Sequence, residues 1–458
     1  MTINTTNTST KHAQSIAQAL RENDVLPFTE VLSAESIASK VTELSYRDRI
    51  FSPDITIYGL LSQAIGADPS MQAAVAQIST HMIGQDLEAP SANTSAYSQA
   101  VSRLPVNILA DLTKESAQAL ENAALPEWLF RGRSVKLVDG TTISMPDTPA
   151  NQELYPQPSS QKKGVGFPIA RLVGIFSLAT GVLLDAAIGP YEGKKTGEHA
   201  LLRQILHGFA TGDIVLGDAY YGSYFLIAIL LEMKVDVVFP QHGGRSSDFR
   251  KGISLDKHDH LVEWLKPQRP EWMSKELYAG FADKITIREV KISCSHEGFR
   301  DKTQVIITTL LDNETFSKND LMEIYSKRWF IELDFNSLKT IMGLNILRSK
   351  SPTMVFKEIW ACFLAYNLIR KIMAQSAATY NTHPRKMSFK LAMQMIYAFR
   401  QSGLLCESSV NYLILLKSLV SKKVGNRPGS SEPRLVKRRP KSFKRLRKNR
   451  SLYKKAAA

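Results

Sequence analysis

Four side chains that could grip a phosphodiester recur at regular spacing in the segment after Ser317. They are Tyr325, Arg328, Glu332 and Lys339. On an ideal α-helix, which turns about 100° per residue, the four fall within a stripe about 60° wide. A carboxylate beside a guanidinium and an ammonium suits a phosphate held around a metal ion, because Arg engages phosphate in bidentate fashion and Lys acts as a point charge. The spacing suits equally a surface helix with an ion pair between Arg328 and Glu332, so spacing alone leaves both interpretations open.

The elements before this helix alternate between strand and helix patterns. VKLVDGTTISM reads as one strand, and FPIARLVGIFSLATGVLLDAAIGP reads as a hairpin turning at Ala179-Thr180-Gly181. A helix beginning near Gly197, a strand DIVLGDA, a helix SYFLIAILLEMK and a strand VDVVFP follow. This order predicts an α/β fold with a mixed sheet flanked by helices.

Shifts in composition and periodicity divide the chain into seven segments. We predict a disordered N-terminus at 1–10, a helical domain at 11–125, the first part of the α/β core at 126–240, a β-rich insertion at 241–313, the second part of the core at 314–375, a helical region at 376–421 and a basic tail at 422–458. Ser33 is predicted to cap the first helix of the helical domain. The Glu332 helix is predicted to run from an N-cap at Ser317 to Gly343.

The net charge of +15 is concentrated at the C-terminal end of the chain. Residues 422–455 hold 15 Lys or Arg against the single acid Glu432, and the rest of the chain is close to neutral. Counterion release makes nucleic acid the favoured polyanionic partner, with Lys437, Arg438 and Arg439 as candidate DNA contacts. A solvated, disordered tail is the alternative.

Several protein classes are disfavoured by the same sequence. Cys294, Cys362 and Cys406 show no C-x-x-C spacing, which argues against a disulfide framework and a cysteine-based zinc site. The N-terminus lacks the apolar core of a signal peptide, and the best apolar run, Phe225–Leu231, is too short to span a membrane. We therefore expect a soluble protein of the reducing cytoplasm, without membrane contact.

The segment YSKRWFIELDFNSLK resembles the Y-(2)-R-(3)-E-(6)-K signature of the insertion-sequence-four family of bacterial DDE transposases, with all four signature residues present. VDGTTISMPDT is similar to the strand that carries that family's first aspartate, and IVLGDAYYGSYFLI is similar to its second-aspartate block. The resemblance covers roughly residues 30 to 445. It departs from the family's pattern at Val101 in AYSQAVSRL, where the family often has an Arg.

The resemblance implies a ribonuclease H-like core with a β-rich insertion and helical N- and C-terminal regions. It also implies that Asp139, Asp218 and Glu332 are the catalytic residues and the ligands of two Mg²⁺ ions, with Mn²⁺ as a substitute. On such a core we expect Asp139 to end the first strand, before a turn at Gly140, and Asp218 to end the neighbouring fourth strand. The alternative is that Asp139 only forms a turn and Asp218 only caps a helix.

The implied function is cut-and-paste DNA transposition. The helical N-terminal domain would bind the terminal inverted repeats of double-stranded DNA, and the core would cleave the element's ends and transfer their 3′-hydroxyls into target DNA. We expect a homodimer in a synaptic complex at the bacterial nucleoid. Two alternatives remain open: a structure-selective endonuclease on the same core, and a catalytically silent, transposase-derived DNA-binding protein. A small-molecule hydrolase using paired carboxylates leaves the basic tail unexplained.

Other polar and aromatic residues carry weaker expectations. Three acidic residues near the strands are predicted to be solvated rather than part of the site: Asp147, Asp185 and Glu198. The run His258-Asp259-His260 is predicted to be a polar turn, since no further His or Cys lies at zinc spacing. Two tryptophans are predicted to be core residues rather than platforms for an unpaired base: Trp264 and Trp272.

Overall fold

The computed structural model describes residues 32, 34–41, 50–84, 89–294, 302–402, 404 and 409–422. The expectations for 1–10, for Ser33 and for the tail residues Lys437, Arg438 and Arg439 lie outside these described residues. The described chain divides into two compact units, one made of the residues up to Ala123 and those from Ser337 onward, the other of Ala124–Asn336. The seven-segment division stays a prediction. Within the described residues, no helix is both long enough and apolar enough to cross a membrane.

The unit Ala124–Asn336 is built on one nine-stranded sheet with the order β3-β2-β1-β4-β5-β9-β8-β7-β6. The strands are β1 (Val135–Ser144), β2 (Ile169–Ser177), β3 (Leu183–Pro190), β4 (Ile214–Leu216), β5 (Asp236–Pro240), β6 (Ile253–Asp256), β7 (Asp259–Leu265), β8 (Lys284–Cys294) and β9 (Lys302–Thr308). β1, β4 and β5 run parallel to one another, while β2 is antiparallel to β1 and β3 is antiparallel to β2. A mixed sheet with three antiparallel strands followed by parallel ones confirms the predicted ribonuclease H-like core.

The hairpin between β2 and β3 follows the sequence prediction. Gly181 adopts φ +84°, a conformation that glycine reaches without strain, in the turn that joins the two strands. The amide of Gly181 donates to the Ser177 carbonyl at 3.0 Å, which closes the turn. Both strands are almost entirely buried, although β3 is the edge strand of the sheet.

The predicted β-rich insertion is part of the same sheet. β9 pairs antiparallel with β5, from Val238↔Thr308 to Pro240↔Ile306, and β8, β7 and β6 continue outward from β9. We call β6–β9 the antiparallel extension. The polar turn predicted at His258-Asp259-His260 is correct only for His258, which has φ +58°. Asp259 and His260 are buried in β7, because the strand begins earlier than its polarity suggests.

Short helices cover this sheet. They are α6 (Pro149–Leu154), α7 (Glu198–Leu202), α8 (Tyr224–Glu232), α9 (Lys275–Gly280), α10 (Lys318–Ser326) and α11 (Phe330–Asn336), with 3₁₀ turns at Pro126–Trp128, Leu206–Gly208, Ala219–Tyr221 and Lys327–Trp329. Ser317 caps α10 as predicted, through a capping box in which its hydroxyl and the Asp320 carboxylate satisfy each other's backbone amides. The helix predicted to begin near Gly197 is shorter than expected, ending at Leu202.

The other unit is helical. Its helices are α1 (Ala34–Val41), α2 (Pro53–Ile65), α3 (Met71–Gly84), α4 (Ser95–Arg103), α5 (Ile108–Asn122), α12 (Pro352–Thr379), α13 (Phe389–Gln401) and α14 (Ser409–Val420), with a π-helical turn at Ser337–Ile341 and a 3₁₀ turn at Pro384–Lys386. α12 is buried along most of its length and packs against α2, α5 and α14. The buried ammonium of Lys357 donates to the carbonyls of Val101 and Ser102 at 2.8 and 2.9 Å, so it satisfies the C-terminal end of α4.

Candidate active site

The pairing register of β1 and β4 places Asp139 and Asp218 at the same height along the strand direction. The parallel pairing of β1 with β4 ends at Leu137↔Leu216, and each aspartate lies two residues beyond its leucine. Because side chains alternate along a strand, residues two apart share a face. The prediction of a turn at Gly140 is wrong. β1 continues to Ser144, because its antiparallel pairing with β2 extends that far. Asp139 therefore lies at the point where β1 loses its parallel neighbour, in the middle of the strand.

Asp218 follows β4 and begins a 3₁₀ turn. One of its carboxylate oxygens accepts the amide of Tyr220 at 2.8 Å, so the residue caps this turn. The cap fixes the side chain in place, because the donor belongs to the backbone. The capping role that the sequence offered as an alternative is thus present, and the residue also lies close enough to Asp139 for their charges to repel.

Burial raises the pKa of Asp139 to about 6. The charges of Asp218 and Glu198 add to this effect, whereas the hydrogen bond from the Gly140 amide, at 2.7 Å, and the charge of Arg328 oppose it. A raised carboxylate pKa means that the negative charge is poorly compensated by its surroundings. Such groups are concentrated at functional sites, since they are arranged for a ligand rather than for stability.

Glu198 is the residue that sequence reasoning missed. It begins α7, is half-buried, and its Oε2 accepts a hydrogen bond from the Tyr221 hydroxyl at 3.4 Å. Burial raises the pKa of Glu198, and the nearby Asp218 adds to the rise. The predicted solvated position is wrong, because a five-residue helix folds back over β2 and β3 and brings its first residue over β1. Asp185 is also buried, in β3, with His207 Nε2 at 2.8 Å from its carboxylate.

Glu332 lies on α11. Ile331 and Phe335 are buried against the sheet, and the Phe335 ring meets the Phe176 ring edge-on at 5.2 Å between centroids. These contacts give the helix an apolar face against the sheet. Glu332 itself keeps 42% of its side chain exposed and pairs with Arg328 at 3.1 Å. Arg328 also lies near enough for its charge to lower the pKa of Asp139.

The segment that carries the predicted stripe of four residues is not one uniform α-helix. Residues Lys327–Trp329 wind as a 3₁₀ turn and Ser337–Ile341 as a π turn, so the uniform 100° rotation used for the prediction is wrong for this segment. The Tyr325 hydroxyl lies 3.5 Å from the Gln304 amide oxygen. Lys339 belongs to the helical unit, where burial lowers its pKa.

The donor chemistry of the site fits a hard divalent cation. Asp139, Asp218 and Glu332 offer only carboxylate oxygens, which Mg²⁺ and Mn²⁺ prefer. Burial, and to a smaller extent the charge of Asp218, disfavours the ionised form of Asp139, and a bound cation would relieve this cost. As placed, no group of three or more acidic, histidine or cysteine side chains within the described residues has metal-binding geometry. The Glu332 carboxylate is paired with Arg328.

The two tryptophans of the insertion differ in their surroundings. Trp264 is buried and donates its indole N–H to Glu289 at 3.2 Å, which confirms a core role. Trp272 keeps 37% of its surface exposed, and the Arg203 guanidinium lies 3.8 Å from its ring centroid. Trp272 and Arg203 line an apolar cavity of about 340 Å³ together with Phe225.

A family model described as the transposase DDE domain matches residues 130–368, more than half of the chain. The chain belongs to this family and is a DNA transposase, an enzyme of the DDE class. It is similar to the transposase InsG for insertion sequence element IS4 of Escherichia coli strain K12, at 25% identity over 433 residues that cover 91% of this chain and 93% of that protein. The resemblance to the insertion-sequence-four family is thereby confirmed.

Two further similarities are more limited. The transposase for insertion sequence element IS421 of Escherichia coli is 36% identical over 72 residues, which cover 16% of this chain and 19% of that protein. Among solved structures, the cryo-EM structure of the piggyBac transposase synaptic complex with hairpin DNA covers 92% of this chain and 87% of its own, with 9% identity and a TM-score of 0.39.

Proposed function

We propose that this transposase binds the terminal inverted repeats of its element, hydrolyses the phosphodiester at each end and joins the freed 3′-hydroxyls to target DNA. The observation that carries the proposal is the common level of Asp139 and Asp218 beyond the Leu137↔Leu216 pair, together with the raised pKa of Asp139. Two aspartates at one level, with poorly compensated charge, are an arrangement for chemistry on a charged ligand.

Asp139, Asp218 and Glu332 would hold two Mg²⁺ or Mn²⁺ ions. Such ions, when bound, supply activation of the attacking oxygen and stabilisation of the leaving oxygen. Asp218 would present a carboxylate already fixed by the Tyr220 amide, and Asp139 one fixed by the Gly140 amide. Glu332 would complete the set from the helix, after its carboxylate leaves Arg328.

Arg328 would then contact the scissile phosphate. In the structure its guanidinium is engaged by the Glu332 carboxylate, and it also acts on the charge of Asp139. When Glu332 turns to a cation, Arg328 gains free donors for a phosphate oxygen, since guanidinium binds phosphate in bidentate fashion. Tyr325 and Lys339 would contact the DNA backbone beside it, and Lys437, Arg438 and Arg439 would add contacts from the tail.

The protein would act as a homodimer that brings two element ends together. Two ends must be cut and joined in one event, and a symmetric pair of active sites performs one cleavage at each end. The substrate is double-stranded DNA in the bacterial cytoplasm, at the nucleoid. The strongly basic composition, with net charge +15, supports binding to DNA by counterion release.

The experiment is cleavage of a labelled duplex that carries the element's own terminal repeat, with Mg²⁺, by the wild-type protein and by Glu332→Gln. We expect the wild-type protein to cut at the repeat boundary and the variant to bind the duplex without cutting it. Glu323→Gln is the matched control, because Glu323 lies on α10, is exposed, and forms a comparable i, i+4 pair with Lys327 at 2.7 Å.

The outcomes separate the proposal from its alternatives. Cutting of branched duplexes without preference for the repeat would identify a structure-selective endonuclease instead. Repeat-specific binding with no cutting by the wild-type protein would identify a catalytically silent DNA-binding protein. Equal cutting by the wild-type protein and Glu332→Gln would contradict the role given to Glu332.

A further inference from the structure

The turn after β4 carries Asp218 beyond the paired part of its strand. The pairing of β4 with β1 and with β5 ends at Leu216. Inside the turn, the Tyr220 amide donates to the Asp218 carboxylate at 2.8 Å, and the Tyr221 amide donates to the Asp218 carbonyl at 3.2 Å. These local bonds fix the shape of the turn but not its position relative to β1. The placement of Asp218 beside Asp139 therefore depends on contacts from outside the turn.

His199, the second residue of α7, makes such a contact. Its Nε2 lies 2.7 Å from the carbonyl oxygen of Tyr220. Burial lowers the pKa of His199, so the ring is neutral near pH 7 and has one N–H, and a carbonyl oxygen can only accept it. The main chain of Tyr220 thus donates to Asp218 through its amide and accepts from His199 through its carbonyl. Two hydrogen bonds connect the imidazole to the carboxylate.

The same part of α7 packs against both tyrosines of the turn. The His199 ring centroid lies 4.6 Å from that of Tyr220 and 5.6 Å from that of Tyr221. The Tyr221 ring is completely buried, and its hydroxyl donates to Glu198 Oε2 at 3.4 Å. A side chain whose rotamer is locked by its neighbours holds its hydrogen-bond partner more precisely than a mobile one does. The two rings therefore keep the imidazole directed at the Tyr220 carbonyl.

The sheet strands anchor α7 from below. The buried Leu201 packs against Gly189 of β3, where an added Cβ would lie 3.0 Å from Leu201 Cδ2. Glu198 packs against Gly140 of β1, where an added Cβ would lie 2.4 Å from Glu198 Cδ. Because side chains alternate along a strand, this contact is on the face of β1 opposite the first aspartate. His199 thus joins the turn of the second aspartate to a helix that is fixed on β1 and β3.

We propose that His199 is a positioning residue for Asp218. Through the Tyr220 carbonyl it holds the turn after β4 at the height and orientation that the second aspartate needs beside the first. In this role His199 acts through the main chain of Tyr220 rather than on the DNA. The inference rests on the function proposed above, because it concerns the placement of a carboxylate that the proposal assigns to the metal site.

Two substitutions separate the hydrogen bond of His199 from the packing of its ring. His199→Phe keeps a ring between the two tyrosines and removes the donor. His199→Gln removes the ring and keeps an N–H donor for the Tyr220 carbonyl. His207→Phe is the matched control, because it also removes a contact of ring Nε2, at 2.8 Å from the Asp185 carboxylate, in a different turn.

Four quantities are measured on the full-length proteins. They are the single-turnover rate of cutting the repeat duplex in Mg²⁺, the affinity for Mn²⁺ without DNA by electron paramagnetic resonance, the affinity for the duplex in EDTA, and the melting temperature in EDTA. Removing a group that orients a metal ligand commonly costs about 10- to 100-fold in metal affinity or activity, and we expect losses in this range in both for His199→Phe. Its duplex affinity and melting temperature should equal those of the wild-type protein. His199→Gln should recover most of the loss, and His207→Phe should show none.

The outcomes decide between a positioning role and a merely structural one. Losses in His199→Phe that His199→Gln restores support the inference. Equal losses in both variants, or a parallel fall in duplex affinity and melting temperature, assign the effect to packing and overturn it. Wild-type cutting and Mn²⁺ affinity in His199→Phe, or an equal loss in His207→Phe, also overturn it.

Asp218→Asn separates a failure of this inference from a failure of the proposed function. Wild-type cutting and Mn²⁺ binding by Asp218→Asn would overturn the role of Asp218 itself, and the inference with it. Loss of both by Asp218→Asn, with His199→Phe unaffected, would leave the proposed function intact and overturn the role of His199 alone.

Discussion

Two groups of acids lie in or beside the same sheet, one fully buried and one half-buried, and their surroundings differ. In the antiparallel extension, Asp259 accepts two hydrogen bonds from the Arg288 guanidinium at 2.9 and 2.6 Å. Glu289 follows Arg288 in β8. Its Oε2 lies 3.1 Å from His260 Nε2, and its Oε1 accepts the indole N–H of Trp264. We call the pair Asp139 and Asp218 the acidic cleft. Here, by contrast, burial raises the pKa of Asp139, and the charge of Asp218 adds to the rise.

This difference separates acids that stabilise the fold from acids that serve chemistry. A buried carboxylate with a bidentate partner contributes to specificity and is costly to disturb on one side only. A carboxylate that lies among like charges lowers the stability of the protein without a ligand. A bound cation removes this repulsion and so stabilises the folded state. The antiparallel extension therefore reads as structural support, and the acidic cleft reads as a site prepared for a ligand.

The largest expected effect is on catalysis, from Asp139→Asn. Under the proposed function, this substitution removes one ligand of the metal ions, and the several kcal/mol that such ions supply correspond to about a thousandfold or more in rate. Single-turnover cleavage of the repeat duplex measures the loss. Residual activity within about tenfold of the wild-type protein would contradict the catalytic role given to Asp139.

The second prediction concerns the extension. Asp259→Asn leaves the completely buried Arg288 without its counterion, and breaking such a pair from one side costs about 3–5 kcal/mol. Chemical denaturation of the two proteins measures this difference. Asp248→Asn is the control, because its partner Arg250 is almost fully exposed and we expect the unfolding midpoint to stay the same.

The same substitution in the acidic cleft is expected to have the opposite sign. The pKa of Asp139 is about 6 in the folded protein against an ordinary value of 3.8, so ionisation disfavours the folded state. In EDTA at pH 8, Asp139→Asn should therefore be more stable than the wild-type protein by about 3 kcal/mol. The gap should narrow as the pH falls below 6 and vanish below about 3.8, where the wild-type carboxyl is protonated in both states.

The result that would break this prediction is a destabilised Asp139→Asn at pH 8. Asp139 would then be a structural acid like Asp259, and the distinction between the two regions would fail. A gap that does not change between pH 8 and pH 4 would show that the effect of the substitution is unrelated to ionisation.

The smallest predicted effect is at Trp264. Trp264→Phe removes the indole donor from Glu289, whose carboxylate keeps His260, so we expect a loss of about 1–2 kcal/mol in the free energy of unfolding. Trp272→Phe is the control, since the Trp272 ring is partly exposed and stacks on Arg203. An equal loss in both variants would show that ring volume rather than the hydrogen bond is responsible.

Much of the fold was accessible from the sequence, because it depends on local patterns. The β2–β3 hairpin, the cap at Ser317 and the alternation of strands and helices follow from turn glycines, capping residues and periodicity. The full length of β1 could not be predicted from the sequence. The strand continues past Asp139 because it pairs with β2, a strand that comes later in the chain. The Asp-Gly pair signals a turn locally, and tertiary pairing overrides it.

The site was accessible in part. The signature spacing and the two aspartate blocks point to Asp139, Asp218 and Glu332 through local sequence patterns alone. The half-buried position of Glu198 was missed, because it depends on the folding of α7 over the sheet and on the space left by Gly140, neither of which has a periodic signal. One clue existed: a glycine directly after a candidate catalytic aspartate, inside a strand, often marks a close approach by another group.

The central claim is that the acidic cleft is unstable when empty and is stabilised by a divalent cation. It is tested most directly by the melting temperature of the wild-type protein and of Asp139→Asn, each measured in EDTA and in Mn²⁺. A ligand that binds only the folded state raises stability with its concentration. The account predicts that Asp139→Asn melts higher in EDTA, and that Mn²⁺ raises the melting temperature of the wild-type protein alone. A rise of equal size in both proteins, or in neither, would contradict it.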